Sequence, residues 1–457
     1  MRVRRDLMRK LLLGSTAVAA AALFAPQGAL AQGADPFLPP GPPMVSHRAL
    51  EVRVGGYFRF NYNFTEQGQN SANKDSGAGV PVAGAATTPN TSARLGKSDF
   101  ASDAEIHIVA NGKATNGLRY GVAIELEVDY NDGTYSPYSG SRVRSPKTGL
   151  DTDEMWMYVA GGFGQVRFGD EDNAWNLMSV GHVANFGTGG VDGDWFDSVT
   201  ATHRAATTFT YDSGDNTKVI YLSPQFYGFD VGASFAFNTG EGEDTGCILS
   251  TVTSDCDRAN AFSGGSPKRR NEVFGIARWR GSFGGVGLQA AIGGMTADAT
   301  KGQQVINSGI ASSVTSAKPM WMGYGGLQAT AYGFTLGGEY YWGQANNSFA
   351  PLVRGAVDTR RMGEVFAGAS YTWGPVTVGA NYYDLQSAGA QGIAAGRREL
   401  VWSVGATYVV APGLTIVTDY SDIYRKEAGY NFISGTAGSA NNKVTSKVFI
   451  LGTRIAF

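Results

Sequence analysis

The sequence predicts an all-β protein: one closed, sixteen-stranded antiparallel β-barrel that spans a bilayer. Three observations carry that expectation. Gly supplies 64 of 457 residues, about twice the usual share, beside 24 Phe, 21 Tyr and only 17% charged residues. Long stretches alternate apolar and polar residues with a period of two, as strands do when one side is wet. Tight turns and long polar connections then alternate along the chain, the habit of bilayer-spanning barrels. The same composition excludes other classes. A disordered chain lacks so many aromatic and β-branched residues, and two Cys cannot hold a disulfide scaffold. A formal charge of −2 offers no basic footprint for nucleic acid. Length alone would allow two or three domains, but one large closed sheet accommodates the whole pattern.

Met1 to Ala31 reads as a secretory signal. Arg2, Arg4, Arg5, Arg9 and Lys10 precede an apolar stretch from Leu11 to Phe24, and Ala29-Leu30-Ala31 supplies small residues for cleavage. A membrane anchor would need about 20 apolar residues, and Pro26, Gln27 and Gly28 interrupt first. Cleavage leaves Gln32 to Phe457, 426 residues with 32 basic against 38 acidic side chains, a balance of −6. Residues 32–50 form a linker, Pro-rich from Asp35 to Pro43. No later segment is long and apolar enough for a spanning helix, so the exported chain is either soluble or a membrane β-barrel.

The period of two begins at Glu51. One face of the first run carries Glu51, Arg53, Gly55, Tyr57, Arg59, Asn61 and Asn63; the other carries Val52, Val54, Gly56, Phe58, Phe60, Tyr62 and Phe64. Leu118 to Tyr130 sets Leu118, Tyr120, Val122, Ile124, Leu126, Val128 and Tyr130 against Arg119, Gly121, Ala123, Glu125, Glu127 and Asp129. Val376, Val378, Ala380 and Tyr382 alternate with Thr377, Gly379, Asn381 and Tyr383, and Leu400 to Val410 alternates with Glu399, Ser403 and Thr407. Soluble sandwiches alternate too, so the position of the rings decides. Tyr130, Trp279, Trp342, Trp373, Tyr382 and Phe457 sit at the ends of apolar faces, as in the aromatic girdles of a spanning barrel. The runs extend over about 10 to 14 residues, longer than ordinary strands.

Short turns fall at 161–164, 284–285, 374–375 and 412–413. Long connections fall at about 65–97, 131–150, 171–215, 239–270, 298–320, 344–361, 387–398 and 425–445. Eight long connections separated by single hairpins make sixteen strands, with both termini on the short-turn side. The run Ala205 to Tyr211 would break this parity and is too short to cross, so it belongs to the third long connection.

These residues resemble a general bacterial porin of the alphaproteobacterial kind, over Glu51 to Phe457. The stretch Asn216-Thr-Lys-Val-Ile-Tyr-Leu-Ser-Pro224-Gln-Phe-Tyr-Gly-Phe229 resembles that family's strand–turn signature. The end, Val448-Phe-Ile-Leu-Gly-Thr-Arg-Ile-Ala-Phe457, resembles the signal read by the outer-membrane assembly machinery. The resemblance implies an inward-folded third loop, here 171–215, a homotrimer among outer-membrane lipids of a Gram-negative bacterium, and no cofactor. The third loop departs from the enterobacterial pattern, with no Pro-Glu-Phe-Gly-Gly run.

A sixteen-stranded lumen is too wide for side chains to fill, so water enters. Lipid does not accept Arg53, Arg59, Arg119, Glu125, Glu127 and Asp129, so that face lines the water. The third loop carries Asp170, Glu171, Asp172, Asp192, Asp194 and Asp197 around Gly187-Thr188-Gly189-Gly190. Acids on the loop facing Arg59, Arg167 and Arg204 would set a transverse field, with Glu125 and Glu127 adding negative charge. The expected function is passive diffusion of small hydrophilic solutes and ions, with mild cation preference. Each residue also has a plainer reading: loop acids as solvated surface, wall arginines as cross-strand partners of Glu. Asp192-Gly193-Asp194 offers oxygen ligands for Ca²⁺ but lacks the spacing of a known calcium loop.

The alternatives are a solute-specific channel, a lipid-acting barrel enzyme and a plugged structural barrel. An enzyme of that kind needs a nucleophile and base on the lipid side, and strand parity turns His107 inward beside Glu105. Of the other histidines, His182 and His203 lie in the third loop and His47 in the linker; no Gly-x-Ser-x-Gly, His-Glu-x-x-His or phosphate-loop motif occurs. A plug needs more chain than 32–50 provides. Cys247 and Cys256 share one long connection in an oxidising compartment, which points to a small clasp. Non-reducing mass spectrometry should find these two cysteines joined; free thiols would remove the clasp.

Overall fold

A computed structural model of the chain describes residues 50–68, 96–127, 151–200, 202–205, 216–238, 269–299, 305–307, 310–312, 317–346, 349–352, 360–390 and 393–457. The expected leader, the Pro-rich linker, both cysteines, Tyr130 and most of Ala205 to Tyr211 fall outside these residues.

The strands follow the alternation. They are β1 (Glu51–Gln67), β2 (Ser98–Lys113), β3 (Arg119–Glu127), β4 (Asp151–Gly161) and β5 (Gly164–Asp170). Next come β6 (Thr217–Leu222), β7 (Phe229–Asn238), β8 (Arg269–Phe283) and β9 (Val286–Ala299). A small separate hairpin, β10 (Val305–Asn307) and β11 (Ile310–Ser312), precedes β12 (Met320–Ala331) and β13 (Phe334–Gln344). The wall continues through β14 (Met362–Trp373), β15 (Val376–Ala388), β16 (Gly396–Ala411) and β17 (Leu414–Glu427). A second small hairpin, β18 (Tyr430–Asn431) and β19 (Thr436–Ala437), precedes β20 (Lys443–Ala456).

Without the two hairpins, sixteen strands pair in chain order into one closed antiparallel barrel. Closure is made by β20 against β1, from Tyr57 opposite Ala456 to Gln67 opposite Ser446. Beyond the last strand residue, the Phe457 amide donates to the Gly56 carbonyl and the Gly56 amide to the Phe457 carbonyl, each at 3.1 Å. The expected count, parity and short turns agree with this wall. Among the described residues no helix is long and apolar enough to cross a membrane, which says nothing about crossing by strands.

Two features differ from the expectation. β5 and β6 have only 7 and 6 residues, because the chain leaves the wall early at Asp170 and re-enters late at Thr217 around the third connection. The hairpins β10–β11 and β18–β19 stand within stretches expected to be irregular; pairs so short carry too little apolar alternation to register in sequence.

Burial follows parity. Val52, Val54, Phe58 and Phe60 of β1 are exposed while Tyr57, Arg59, Asn61 and Asn63 are buried. The outer face is apolar across the wall: Leu327 is 67% and Ile292 66% exposed. Rings stand near both strand ends, with Tyr332, Phe334, Trp373 and Phe457 toward the short turns and Phe100, Phe237, Tyr340 and Trp342 toward the long connections. Trp279 is partly covered, its ring 5.8 Å from that of Phe283.

The inward face is less uniformly polar than the alternation suggests. Phe274, Tyr324, Tyr341, Phe366, Tyr383, Val401 and Ile450 are fully buried there and join one cluster with Trp175, Val191 and Trp195 of the third connection. Leu327 lies on the outer face between Tyr332 and Trp342, with Ala290 and Gly338 as strand neighbours. Leu327→Arg should therefore cost about 2–4 kcal/mol in reversible unfolding from lipid bilayers, and a change near zero would show that this face does not meet hydrocarbon.

Candidate functional site

The third connection, described over residues 171–200 and 202–205, runs along the buried face of the wall. It opens with a helix, Ala174–Met178, capped by Asn173, whose side-chain oxygen accepts from the amides of Trp175 at 2.8 Å and Asn176 at 3.3 Å. Trp175 anchors it. The indole nitrogen donates to the Gly275 carbonyl at 2.8 Å, and the ring packs edge-on to Phe274 and beside Tyr324 and Tyr341. A buried tryptophan needs such a partner for its N–H. Downstream, the Tyr324 hydroxyl accepts from the Val180 amide and donates to the Val180 carbonyl, both at 2.7 Å.

His182 is buried, stacked on Phe366 with centroids 4.2 Å apart. Its Nδ1 stands 3.5 Å from Glu339 and its Nε2 3.8 Å from Asp192. Burial pushes its imidazole down to about 3. The ring is neutral at neutral pH.

The Gly-rich stretch then crosses β15 to β17. Asn381 accepts from the Val191 amide at 2.9 Å and donates to the carbonyls of Val183 and Gly189. Asp419 accepts from both the amide and the hydroxyl of Thr188. Gly187 and Gly190 have positive φ, +56° and +66°, and a Cβ on either would run into Asp419 or Asn381. Those positions therefore demand glycine twice over, for conformation and for space.

The segment returns to β1 at Asp194. Its two oxygens accept from Arg59 Nη1 at 2.8 Å and Asn61 Nδ2 at 2.6 Å, while Arg59 Nη2 reaches Asp103 on β2 at 2.6 Å. Burial raises the Asp194 carboxyl above its usual value, Arg59 opposes this, and Asp197 pushes the same way as burial. Farther on, Arg425 of β17 donates to the Thr202 carbonyl at 2.7 Å. One segment thus touches β7, β8, β12 to β15, β17 and β1 on the same face.

The anticipated residues do not all converge. Arg59 and Asp194 meet directly, and Asp192 lies close by beside His182. Arg167, 2% exposed, pairs within its own stretch with Glu171 at 2.8 Å and lies over the Trp156 ring. Glu125 and Glu127 are buried on β3, away from the Gly-rich stretch. The remainder stand apart: Asp197 is exposed, Arg204 stacks on Phe196 of its own segment, and Arg119 is exposed at the short-turn end of β3. Asp170 and Asp172 accept from Thr217 and Asn176. Asp194, one of the two expected Ca²⁺ ligands, is occupied by Arg59 and Asn61.

Sequence reasoning missed Asp103, Tyr324, Glu339 and Asp419. Alternation places all four on the inward face, so the signal for orientation was present. Nothing in sequence distinguishes a wall residue that docks the third segment from one that meets only water.

A family profile described as Gram-negative porin matches residues 16–428. No curated protein sequence matches the chain. Solved structures share the fold. OmpT, an outer membrane protein of Vibrio cholerae folded in vitro, superposes with a TM-score of 0.50 at 14% identity, covering 91% of this chain and all of that one. Mutants of Rh. blastica porin give TM-scores of 0.46 and 0.47 at 16% identity, covering 89% of this chain and all of theirs.

The His182 imidazole generates a pH prediction. Its folded-state value of about 3 lies below the ordinary 6.5, so on acidification the unfolded chain takes up this proton first and stability falls between those values. Each unit of difference is worth about 1.4 kcal/mol. Thermal melting in detergent between about pH 7 and about pH 4 should show a steeper loss in the wild type than in His182→Gln; equal slopes would place the acid sensitivity elsewhere.

Proposed function

The chain belongs to the Gram-negative porin family, and on that premise we propose that the third connection is the constriction of its channel. The protein is an outer-membrane porin, a β-barrel channel. The proposed cargo is small hydrophilic solutes and ions crossing by passive diffusion. The arrangement that carries the constriction is Arg59, held between Asp103 on the wall and Asp194 on the folded-in segment. Fixed charges where the segment meets the wall favour polar solutes over apolar ones, which must give up water to pass. Asp192, Asp194 and Asp197 give the segment an acidic balance beside Arg59, which supports a mild preference for cations.

A channel explains the distribution of chemistry better than a lipid-acting enzyme. His107 bonds Glu105 on the inward face, whereas catalysis on lipid needs its groups outside. Assembly as a homotrimer, export through Met1 to Ala31, recognition of the C-terminal Phe457 by the assembly machinery and a clasp between Cys247 and Cys256 complete the proposal. Ca²⁺ has weaker support, since Asp194 is taken by an arginine.

Purified protein in planar bilayers should give stepwise conductance in multiples of three and a reversal potential of the cation-preferring sign in a salt gradient. Asp192→Asn, Asp194→Asn and Asp197→Asn combined should lower the cation/anion permeability ratio. A silent membrane would end the channel reading, an unchanged ratio would remove the loop as its filter, and strong binding of one solute would favour a specific channel.

A further inference from the structure

The inward side of β2, β3 and β4 carries acids at opposed positions. The register sets Glu105 opposite Glu127, His107 opposite Glu125, and Glu125 opposite Glu154. Glu105 and Glu125 are 1% and 5% exposed. An imidazole stands among these carboxylates: His107 Nε2 lies 2.5 Å from Glu105 Oε1, with the His107 side chain 12% exposed. One ligand atom each from Glu105, His107 and Glu125 lies within 4.8 Å of the others.

We propose that Glu105, His107 and Glu125 form a binding site for a divalent transition-metal ion of the zinc class on the inner wall of the barrel. The donor set is one nitrogen and two carboxylate oxygens, which suits zinc and its neighbours better than calcium, a cation that takes oxygen alone. Three protein ligands leave a fourth position for water or solute. Zinc bonds of about 2.0–2.2 Å set tetrahedral ligand atoms roughly 3.4 Å apart, so the ion would take the place of the His107–Glu105 hydrogen bond. An outer contact is already in place, because the Tyr57 hydroxyl donates to Glu105 Oε2 at 2.9 Å and aims that carboxylate. All three ligands come from adjacent strands of one hydrogen-bonded ladder, so the geometry depends on no loop.

The site rests on the register of the wall; only its consequence for transport rests on the channel reading, so binding is measured without conductance. The full chain, folded in detergent, is titrated with Zn²⁺ alone by calorimetry. The expected result is one saturable site per chain, weakened at least tenfold in His107→Asn and in Glu125→Gln, with Tyr57→Phe weakening it less. Circular dichroism confirms that each variant keeps the barrel. Excess Ca²⁺ should not displace the Zn²⁺. Absence of a saturable site in the wild type, indifference of folded His107→Asn, or equal competition by Ca²⁺ would each overturn the proposal.

Discussion

Hydrocarbon offers a backbone amide no partner, so every donor and acceptor at membrane depth must be satisfied within the wall. That constraint makes the pairing of β20 with β1 the contact on which the rest depends. An open sheet would leave two edges of unpaired amides, whereas closure from Tyr57 opposite Ala456 to Gln67 opposite Ser446 leaves none. The last residue takes part, as Phe457 exchanges both backbone bonds with Gly56 while its ring joins the exposed outer belt. Once closed, the wall fixes side-chain direction for every strand, because alternate residues must face opposite sides.

Closure at sixteen strands creates the second requirement. A ring of that size encloses more space than wall side chains can fill, and the third connection occupies part of it. The segment is attached by two kinds of contact. Trp175 packs against Phe274, Tyr324 and Tyr341, Val191 and Trp195 are buried in the same cluster, and side chains of Asn381, Asp419, Arg59 and Asn61 meet its backbone and acids. A hydrogen bond of this kind is worth about 1 kcal/mol net, while a buried polar atom left unmatched costs more. The segment is thus held in one position by the penalty for partial detachment as much as by the bonds themselves. Gly187 and Gly190 permit this close approach, which any side chain would block.

The same attachment explains why anticipated partners were redistributed. Arg167 stands on the inward face as alternation requires, but Glu171, four residues along the chain, reaches it first. Arg204 closes onto Phe196 within its own segment. Arg59 joins the wall to the far part of the segment, because Asp103 lies across the strand pair and Asp194 arrives from the segment at the same level. Charge type was legible in sequence; pairing was set by which groups arrived at one depth.

The sequence by itself determined the class of fold, the strand count, the side each strand residue faces and the alternation of short and long connections. These follow from local periodicity, since two-residue alternation and turn chemistry act over a few neighbours and need no distant partner. Tertiary structure alone decided that Asp194 meets Arg59 across 135 positions, that Asp419 and Asn381 receive the Gly-rich stretch, and that much of the inward face of β12 to β17 is packed and not wet. Such contacts depend on the path of one irregular segment through a closed space, and that path is chosen by the sum of many weak attachments distributed around the ring, none of which leaves a period in the chain.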